Sequence, residues 1–597
     1  MGRFQIIERI VIVRVFRDLM WFFKAHQRQY IAGIFYLIIV SLISLVPPAL
    51  VGMVVNRLTR HAMTVGFLVL MLALIAAVAL LSYGLRYLWR IRLYGGSILL
   101  ATELRDRLYR HFTQLSPEFY HHHRIGDLMA HATNDVNAVQ ETAGDGVFMM
   151  VDAVVSGAVL IATMALSISW KLTVISLLPL PIMAFVISRY GRMLHDRFMV
   201  AQEAFSDIND RVQEYISGVR VVRAFGQEAW ERQNFVELSR DVVSKNVAVA
   251  KIDSLFDPTI SVIIGVSYFL SLAVGALFVV HGRMNLGSLT TFTLYLGQLI
   301  WPMMAFGFLF NVVERGSASY DRIQTLLNIQ PTVVDAPNAL VGVPSGDIQF
   351  QIPAFQYPES ERHVLERIAL TVPTGSTLGI VGRTGAGKTT LMRLLLREFD
   401  IDEGDITIGG TSIYQMRLHA LRQALAYAPQ DDFLFSMTIR ENIAFQKPDA
   451  SMDAVEEVAR IASIHDDILR FPDGYDTVVG ERGVTLSGGQ KQRISIARAL
   501  LADAEILLLD DTLSAVDART EAAILSALKN NRDRRTTLVA THRLSAVEHA
   551  DQIIVLEHGR IVERGTHAEL IALGDRYYDM YQRQQLEALV EQGGQVG

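Results

Sequence analysis

No cysteine occurs in the 597 residues. Disulfides, thiolate metal sites, iron–sulfur clusters and cysteine nucleophiles are therefore excluded together, although the absence assigns no compartment. Charge is scarce as well: Asp, Glu, Lys and Arg make up 19%, against 51% hydrophobic residues and a mean hydropathy of +0.28. A soluble chain of this length needs more charge to cover its surface, so part of this one lies in a membrane. There is no basic excess either. Lys and Arg number 55 against 61 Asp and Glu, a net −6, and nucleic acid is not an expected partner. Gly (42) and Pro (16) are too few for a collagenous or low-complexity chain.

The apolar residues concentrate before about Val313. A spanning helix needs about 20 mostly apolar residues, and six stretches are candidates, near 30–55, 63–88, 147–169, 172–188, 256–280 and 289–313. Pro47 and Pro48 kink the first, which a membrane tolerates if neighbours satisfy the freed carbonyls. The fourth is short and broken by proline. Residues 1–27 mix Arg3, Arg14, Arg17 and Lys24 with Ile, Val, Phe and Trp21, with no small-residue cleavage site after them, and read as an interfacial amphipathic helix.

Loops set the orientation. The long polar segments 89–146 and 189–255 carry most of the Lys and Arg, which makes them cytoplasmic. Arg57, Arg60, Lys171 and Arg283 fall in the short loops on the other side. An even number of spans then puts both termini in the cytoplasm, in an inner cell membrane. Residues 28–325 are expected to form the membrane domain, 326–345 a Pro-rich linker, and 346–597 an α/β domain of alternating β-rich and helical runs.

Within that domain, STLGIVGRTGAGKTTLMRLLL is a strand, a glycine-rich turn and a helix. Gly382, Thr384, Gly385, Ala386, Gly387, Lys388 and Thr389 complete a phosphate-binding loop, with Thr390 following. The glycines let backbone N–H groups curl around phosphate, and the helix start adds a positive dipole end. Lys388 is expected on the β- and γ-phosphates of ATP and Thr389 on Mg²⁺. Four apolar residues before Asp510 read as a buried strand, with Asp510 at its end placed to hold Mg²⁺.

Leu486-Ser487-Gly488-Gly489-Gln490 resembles the signature sequence of ATP-binding-cassette (ABC) ATPases. Tyr357 resembles the family's adenine-stacking aromatic, Gln430 its Q-loop glutamine near Mg²⁺ and water, Ser514-Ala515-Val516-Asp517 its D-loop and His542 its switch histidine. RIGDLMAHATNDV (124–136) and SGVRVVRAFGQE (217–228) are similar to cytoplasmic loops of the family's exporters. The resemblance implies a six-helix membrane bundle of the type IV exporter kind with long cytoplasmic extensions, fused to an α/β P-loop cassette. It also implies that Ser487, Gly488, Gly489, Gln490 and Asp517 touch the ATP held by a facing cassette, so a second half-transporter is the partner. Motion is expected to pass through short relays near 126–134 and 204–213.

One position departs from the family pattern. Active ABC cassettes carry Glu after the strand-end Asp as the base that polarises water; here that residue is Asp511. The shorter side chain withdraws the carboxylate by about 1.5 Å, the length of a C–C bond, and misplacement of about 1 Å can cost roughly 10²-fold. The chain thereby resembles the weakly hydrolysing half of heterodimeric bacterial multidrug exporters, with an intact signature that completes the partner's site. Lipid or peptide export, or a nucleotide-gated channel subunit, are the alternatives on the same scaffold.

Asp152, Trp301 and Met304 are the substrate candidates for hydrophobic or amphipathic small molecules, because intramembrane carboxylates are functional by default and aromatics and methionines form adaptable cavities. Asp257 and Glu314 lie at span ends. His121-His122-His123 is read as a polar loop contact, since adjacent helical residues point apart.

Overall fold

The computed structural model describes residues 14–358, 360, 362–480, 486–514, 516–530 and 535–593. Most of the expected N-terminal helix's first half (1–13) and Ala515 of the D-loop lie outside them. The chain divides into two compact units. One holds the chain to Phe112 and from Gly126 to Ile329; the other holds Thr113–Ile125 and the chain from Gln330 onward.

Among the described residues the first unit holds helices and no strand. Its principal helices are α1 (Gln27–Ile43), α2 (Val46–Thr59), α3 (Val65–Phe112), the long α5 (Ile125–Leu177), α6 (Leu180–Ser217), α7 (Glu228–Asp253), α8 (Phe256–Val280), α9 (Leu286–Gln298) and α10 (Ile300–Leu327); α4 belongs to the other unit. Among the described residues, five helical stretches are long and apolar enough to cross a membrane: Gln27–Thr59, Val65–Phe112, Ile125–Leu177, Glu228–Val280 and Leu286–Leu327. The expected fourth span is not among them. The helix stops at Leu177 and restarts at Leu180, because Pro179 and Pro181 have no N–H to give the carbonyls of Ile175 and Leu177. At 48 residues, α3 runs about 72 Å at 1.5 Å per residue, more than twice a hydrocarbon core of about 30 Å. The surplus is a long extension beyond the membrane.

The first span breaks at Ser44–Leu45, ahead of Pro47 and Pro48. Pro48 cannot donate to the Ser44 carbonyl four residues back, and the Gln298 side-chain N–H does so instead at 3.3 Å. Tyr295 Oη donates to the neighbouring Leu45 carbonyl at 2.7 Å, and Thr291 Oγ1 to that of Pro48 at 3.2 Å. These contacts bind α9 to the bend. Small residues let the backbones meet: a Cβ on Gly52 would stand 1.9 Å from Thr291 Oγ1 and 2.6 Å from the Gly287 carbonyl oxygen. Residues 14–25 lay Val15, Leu19 and Phe22 against protein, with Trp21 Nε1 donating to Tyr320 Oη at 3.3 Å and Arg14 paired with Asp321 at 2.8 Å.

Short helices lie at or near both expected relays, and one of them, Ile125–Ala130, overlaps 126–134. The short helix α4 (Pro117–His122) precedes 126–134 and belongs to the second unit, where Ser116 Oγ accepts the Thr332 and Val333 N–H groups at 3.1 Å each. Residues 204–213 lie inside unbroken α6, and the short helix follows at Val219–Ala224. In both places a continuous helical pattern hid where the chain turns.

The second unit carries two sheets. β1 (Ile348–Phe355), β2 (Leu365–Val372), β4 (Asp405–Ile408) and β5 (Thr411–Ser412) form an antiparallel sheet in the order β2-β1-β4-β5. β3 (Thr377–Gly382), β6 (Leu425–Ala428), β7 (Ile506–Asp510), β8 (Thr536–Thr541), β9 (Gln552–Glu557) and β10 (Arg560–Gly565) form the other, in the order β10-β9-β3-β8-β7-β6. All its pairings except β10–β9 are parallel. β7 is buried at every residue, as a central parallel strand covered on both faces must be. Helices α11 (Lys388–Leu395), α12 (Gly488–Leu501) and α13 (Arg576–Gly593) carry the parts that bear on function.

Gly52→Val should lower the apparent melting temperature in detergent by several degrees, an overpacking cost of about 1–3 kcal/mol. Gly66→Val, where a Cβ meets nothing within 4 Å, should leave it unchanged.

Candidate nucleotide site

Parallel strands deliver their carboxyl ends to one edge, where ligands bind in open α/β sheets. Ala428 pairs with Leu509, Asp510 with Ala540 and Val381 with Thr541. The residues just past those pairs are Gln430, Asp511, His542 and the loop after Gly382. Four segments far apart in sequence thus reach one edge.

The loop from Gly382 to Lys388 needs glycine for two reasons. Gly385 and Gly387 have φ of +80° and +104°, a region costly for side chains. A Cβ on Gly382 would stand 2.4 Å from the Leu556 carbonyl oxygen, and one on Gly387 2.6 Å from Leu365. Thr384 and Gly385 form the exposed tip, while Ala386 is buried beneath it. Lys388 Nζ donates to the carbonyls of Gly382 and Arg383 at 2.8 and 3.2 Å, folded back over its own loop. Burial holds its ammonium below the usual lysine range, a cost that a phosphate beside it would offset.

Thr389 Oγ1 donates to Asp510 Oδ1 at 3.0 Å and Tyr427 Oη to Asp510 Oδ2 at 3.2 Å. Asp510 is 1% exposed, and burial raises its pKa against the pull of those hydrogen bonds. A buried carboxylate beside a hydroxyl is an all-oxygen donor set that fits a hard divalent cation such as Mg²⁺. Gln430 lies exposed beyond β6. Tyr357 sits in an aromatic cluster, edge-on to Phe355 and Phe399 with centroids 5.2 and 5.1 Å away, and its Oη is 3.0 Å from Thr390 Oγ1. That contact joins the aromatic to the phosphate-loop helix.

Asp511 has φ of +51°, unusual for a residue with a side chain, and its N–H donates to the Ala540 carbonyl at 2.8 Å. Its Oδ1 lies 2.8 Å from His542 Nδ1. The signature residues behave as a helix start: Ser487 Oγ accepts the Gln490 N–H at 3.3 Å and Gln490 Oε1 accepts the Ser487 N–H at 3.0 Å. Gly488 and Gly489 form the first turn of α12. Among the described residues no hydrogen bond joins this segment to the chain's own phosphate loop. Asp517 accepts the Thr520 N–H at 3.0 Å, capping the next helix, which holds its carboxyl below the ordinary range.

Two residues escaped the sequence reading. Arg543 ties the switch loop to the D-loop, donating to the carbonyls of Leu513, Ser514 and Val516 and to Glu521 at 2.8–3.3 Å. Gln584 on α13 grips the same loop from the other side. Its Nε2 donates to the His542 carbonyl at 2.6 Å and its Oε1 accepts the Leu544 N–H at 2.9 Å. A lone glutamine in a C-terminal helix gives no local signal.

The membrane candidates lie in the first unit. Asp152 and Trp301 come together there; Met304 follows Trp301 by three residues on α10, Asp257 is exposed at the start of α8, and Glu314 is exposed in the middle of α10.

The chain matches the family model of the ABC transporter transmembrane region over residues 30–303 and that of the ABC transporter over 365–514. It is 47% identical to the multidrug resistance-like ATP-binding protein MdlA of Escherichia coli (strain K12), over 97% of this chain and 98% of that one. The chain belongs to the ABC transporter family. It is 46% identical to the probable multidrug resistance ABC transporter ATP-binding/permease protein YheI of Bacillus subtilis (strain 168), over 97% of this chain and 99% of the relative. A structure of a bacterial Atm1-family ABC exporter with ATP bound aligns with a TM-score of 0.77 at 28% identity, covering 94% of this chain and 98% of that one. This ABC exporter chain therefore joins a membrane domain to an ATPase cassette that binds nucleotide and is coupled to transport, and it works as a dimer in a lipid bilayer.

Made in the Asp511→Glu chain, Gln584→Ala should lower kcat for ATP hydrolysis about tenfold by loosening the switch loop, leaving KM within about twofold. In a His542→Ala background the same change should cost nothing further.

Proposed function

We propose that this chain is the half of a heterodimeric multidrug exporter whose own ATP site hydrolyses weakly. The observation that carries the reading is Asp511. Its N–H is tied to Ala540 and its carboxylate to His542. With the backbone held by β8, a shift of the chain cannot supply the missing methylene. The carboxylate stays back from the place a glutamate base would reach.

Around it, Tyr357 stacks on adenine, and Gly382, Thr384, Gly385, Ala386, Gly387, Lys388, Thr389 and Thr390 hold the phosphates. Thr389, Asp510 and Gln430 hold Mg²⁺, which neutralises charge on the β- and γ-phosphates when bound. His542 and Asp511 are what remains of the catalytic pair. Ser487, Gly488, Gly489, Gln490 and Asp517 serve ATP on the partner cassette; in favour, the signature forms a complete helix start and, among the described residues, makes no hydrogen bond to its own phosphate loop. The partner is then a second half-transporter bearing Glu at the position of Asp511. The residues near 170–190, bent at Pro179, complete a six-span membrane domain over 28–325, with the linker at 326–345 and the cassette over 346–597. The membrane is the inner one, with cassette and termini in the cytoplasm, and the transported compounds are amphipathic molecules taken from the cytoplasm or inner leaflet.

Asp511→Glu should raise ATP turnover at least tenfold, measured on the full chain in lipid nanodiscs alone and with its partner. Fast turnover by the unmodified chain alone contradicts the reading, and stimulation by lipids but not by drugs assigns a lipid exporter instead.

A further inference from the structure

Asp152 is the first residue of a widened, π-type turn (Asp152–Ser156) in α5, a feature that recurs at functional sites. Its Oδ1 accepts a hydrogen bond from Ser156 Oγ at 2.8 Å, and Ser156 Oγ lies 2.6 Å from Ser41 Oγ on α1. The Trp301 indole N–H interacts with the same carboxylate. Yet Asp152 Oδ2 is buried and accepts no hydrogen bond, and among the described residues no lysine or arginine pairs with it. None lies nearby in sequence on the helices that meet there: 142–170 and 300–313 contain no basic residue, and Arg28 is the only one in α1.

A second orphan lies at the same junction. Gln298 points its amide N–H at the Ser44 carbonyl, which fixes its orientation and leaves Oε1 buried and unpaired. Ser44 is bonded to Ser41 in turn, through Ser44 Oγ to the Ser41 carbonyl at 2.7 Å. Contacts thus run from Asp152 through Ser156, Ser41 and Ser44 to Gln298, which ends α9 three residues before Trp301. Both groups left over are acceptors, one of them a carboxylate, and Trp301 is 50% exposed. What completes such a set is a group that carries positive charge and N–H donors and lies well against an indole face.

Depth agrees. Asp152 is 17 residues from Ser169, where α5 has its N-capped turn at the outer loop, or about 25 Å. In a hydrocarbon core of about 30 Å that is the inner-leaflet side, where the charged end of an amphipathic cation resides.

We propose that Asp152, Gln298 and Trp301 form a recognition site for organic cations bearing N–H donors. The proposal rests on the exporter reading above and assigns this half of the dimer the charge selection. The test is fluorescence titration of the full chain in lipid nanodiscs with two probes, cationic rhodamine 123 and uncharged calcein acetoxymethyl ester. Asp152→Asn should weaken rhodamine 123 at least tenfold and leave the uncharged probe within twofold, while Asp152→Glu keeps both. Rhodamine 123 affinity indifferent to residue 152, or equal loss of both probes, overturns the cation site and leaves Asp152 as a tie between helices. Binding of neither probe by the unmodified chain overturns the drug-exporter reading with it.

Discussion

The parallel register of β7 between β6 and β8 governs everything the cassette does. Because Leu509 faces Ala428 and Asp510 faces Ala540, the next residues along three strands arrive together as Gln430, Asp511 and His542. The same ladder sets Asp510 under Thr389 at the head of the phosphate-loop helix. A slip of one residue in β7 would turn both carboxylates to the opposite face. Such a slip would also carry a carboxylate into a position packed on both faces, a burial cost that opposes it.

From that edge, the rest of the cassette reads as a set of ties between loops. Gln492 of the signature helix donates to Ser514 of the D-loop at 3.1 Å, Arg543 of the switch loop holds the D-loop carbonyls, and Gln584 holds the switch loop. A movement of any one of these loops is felt by the others through hydrogen bonds 2.6–3.3 Å long.

Much of this was legible in the residues. The phosphate loop, the signature and the strand-end aspartates are local patterns in which type and spacing are dictated by chemistry, and each lies on the element its pattern implies. The bend at Pro47–Pro48 was legible too, along with its need for neighbouring donors. Which neighbours was not: Gln298 and Tyr295 reach Ser44 and Leu45 across some 250 positions, and nothing local marks them. Long uniform helices hid their boundaries for a related reason. The proline break in the fourth span was legible, but the pattern of α6 continues past any membrane edge, so the short helix at 219–224 does not stand out from composition. The orphaned acceptors at Asp152 and Gln298 emerged only once their partners had been placed.

The central proposal is that the Asp511 site holds ATP tightly and cleaves it slowly. The direct measurement is the identity of the retained nucleotide: load the full chain in nanodiscs with Mg-ATP, remove free nucleotide rapidly, and separate what stays bound after the time of many family turnovers. Intact ATP is predicted at the Asp511 site, with ADP replacing it in the Asp511→Glu protein. Bound ADP in the unmodified chain, formed as fast as in the Glu variant, contradicts the account.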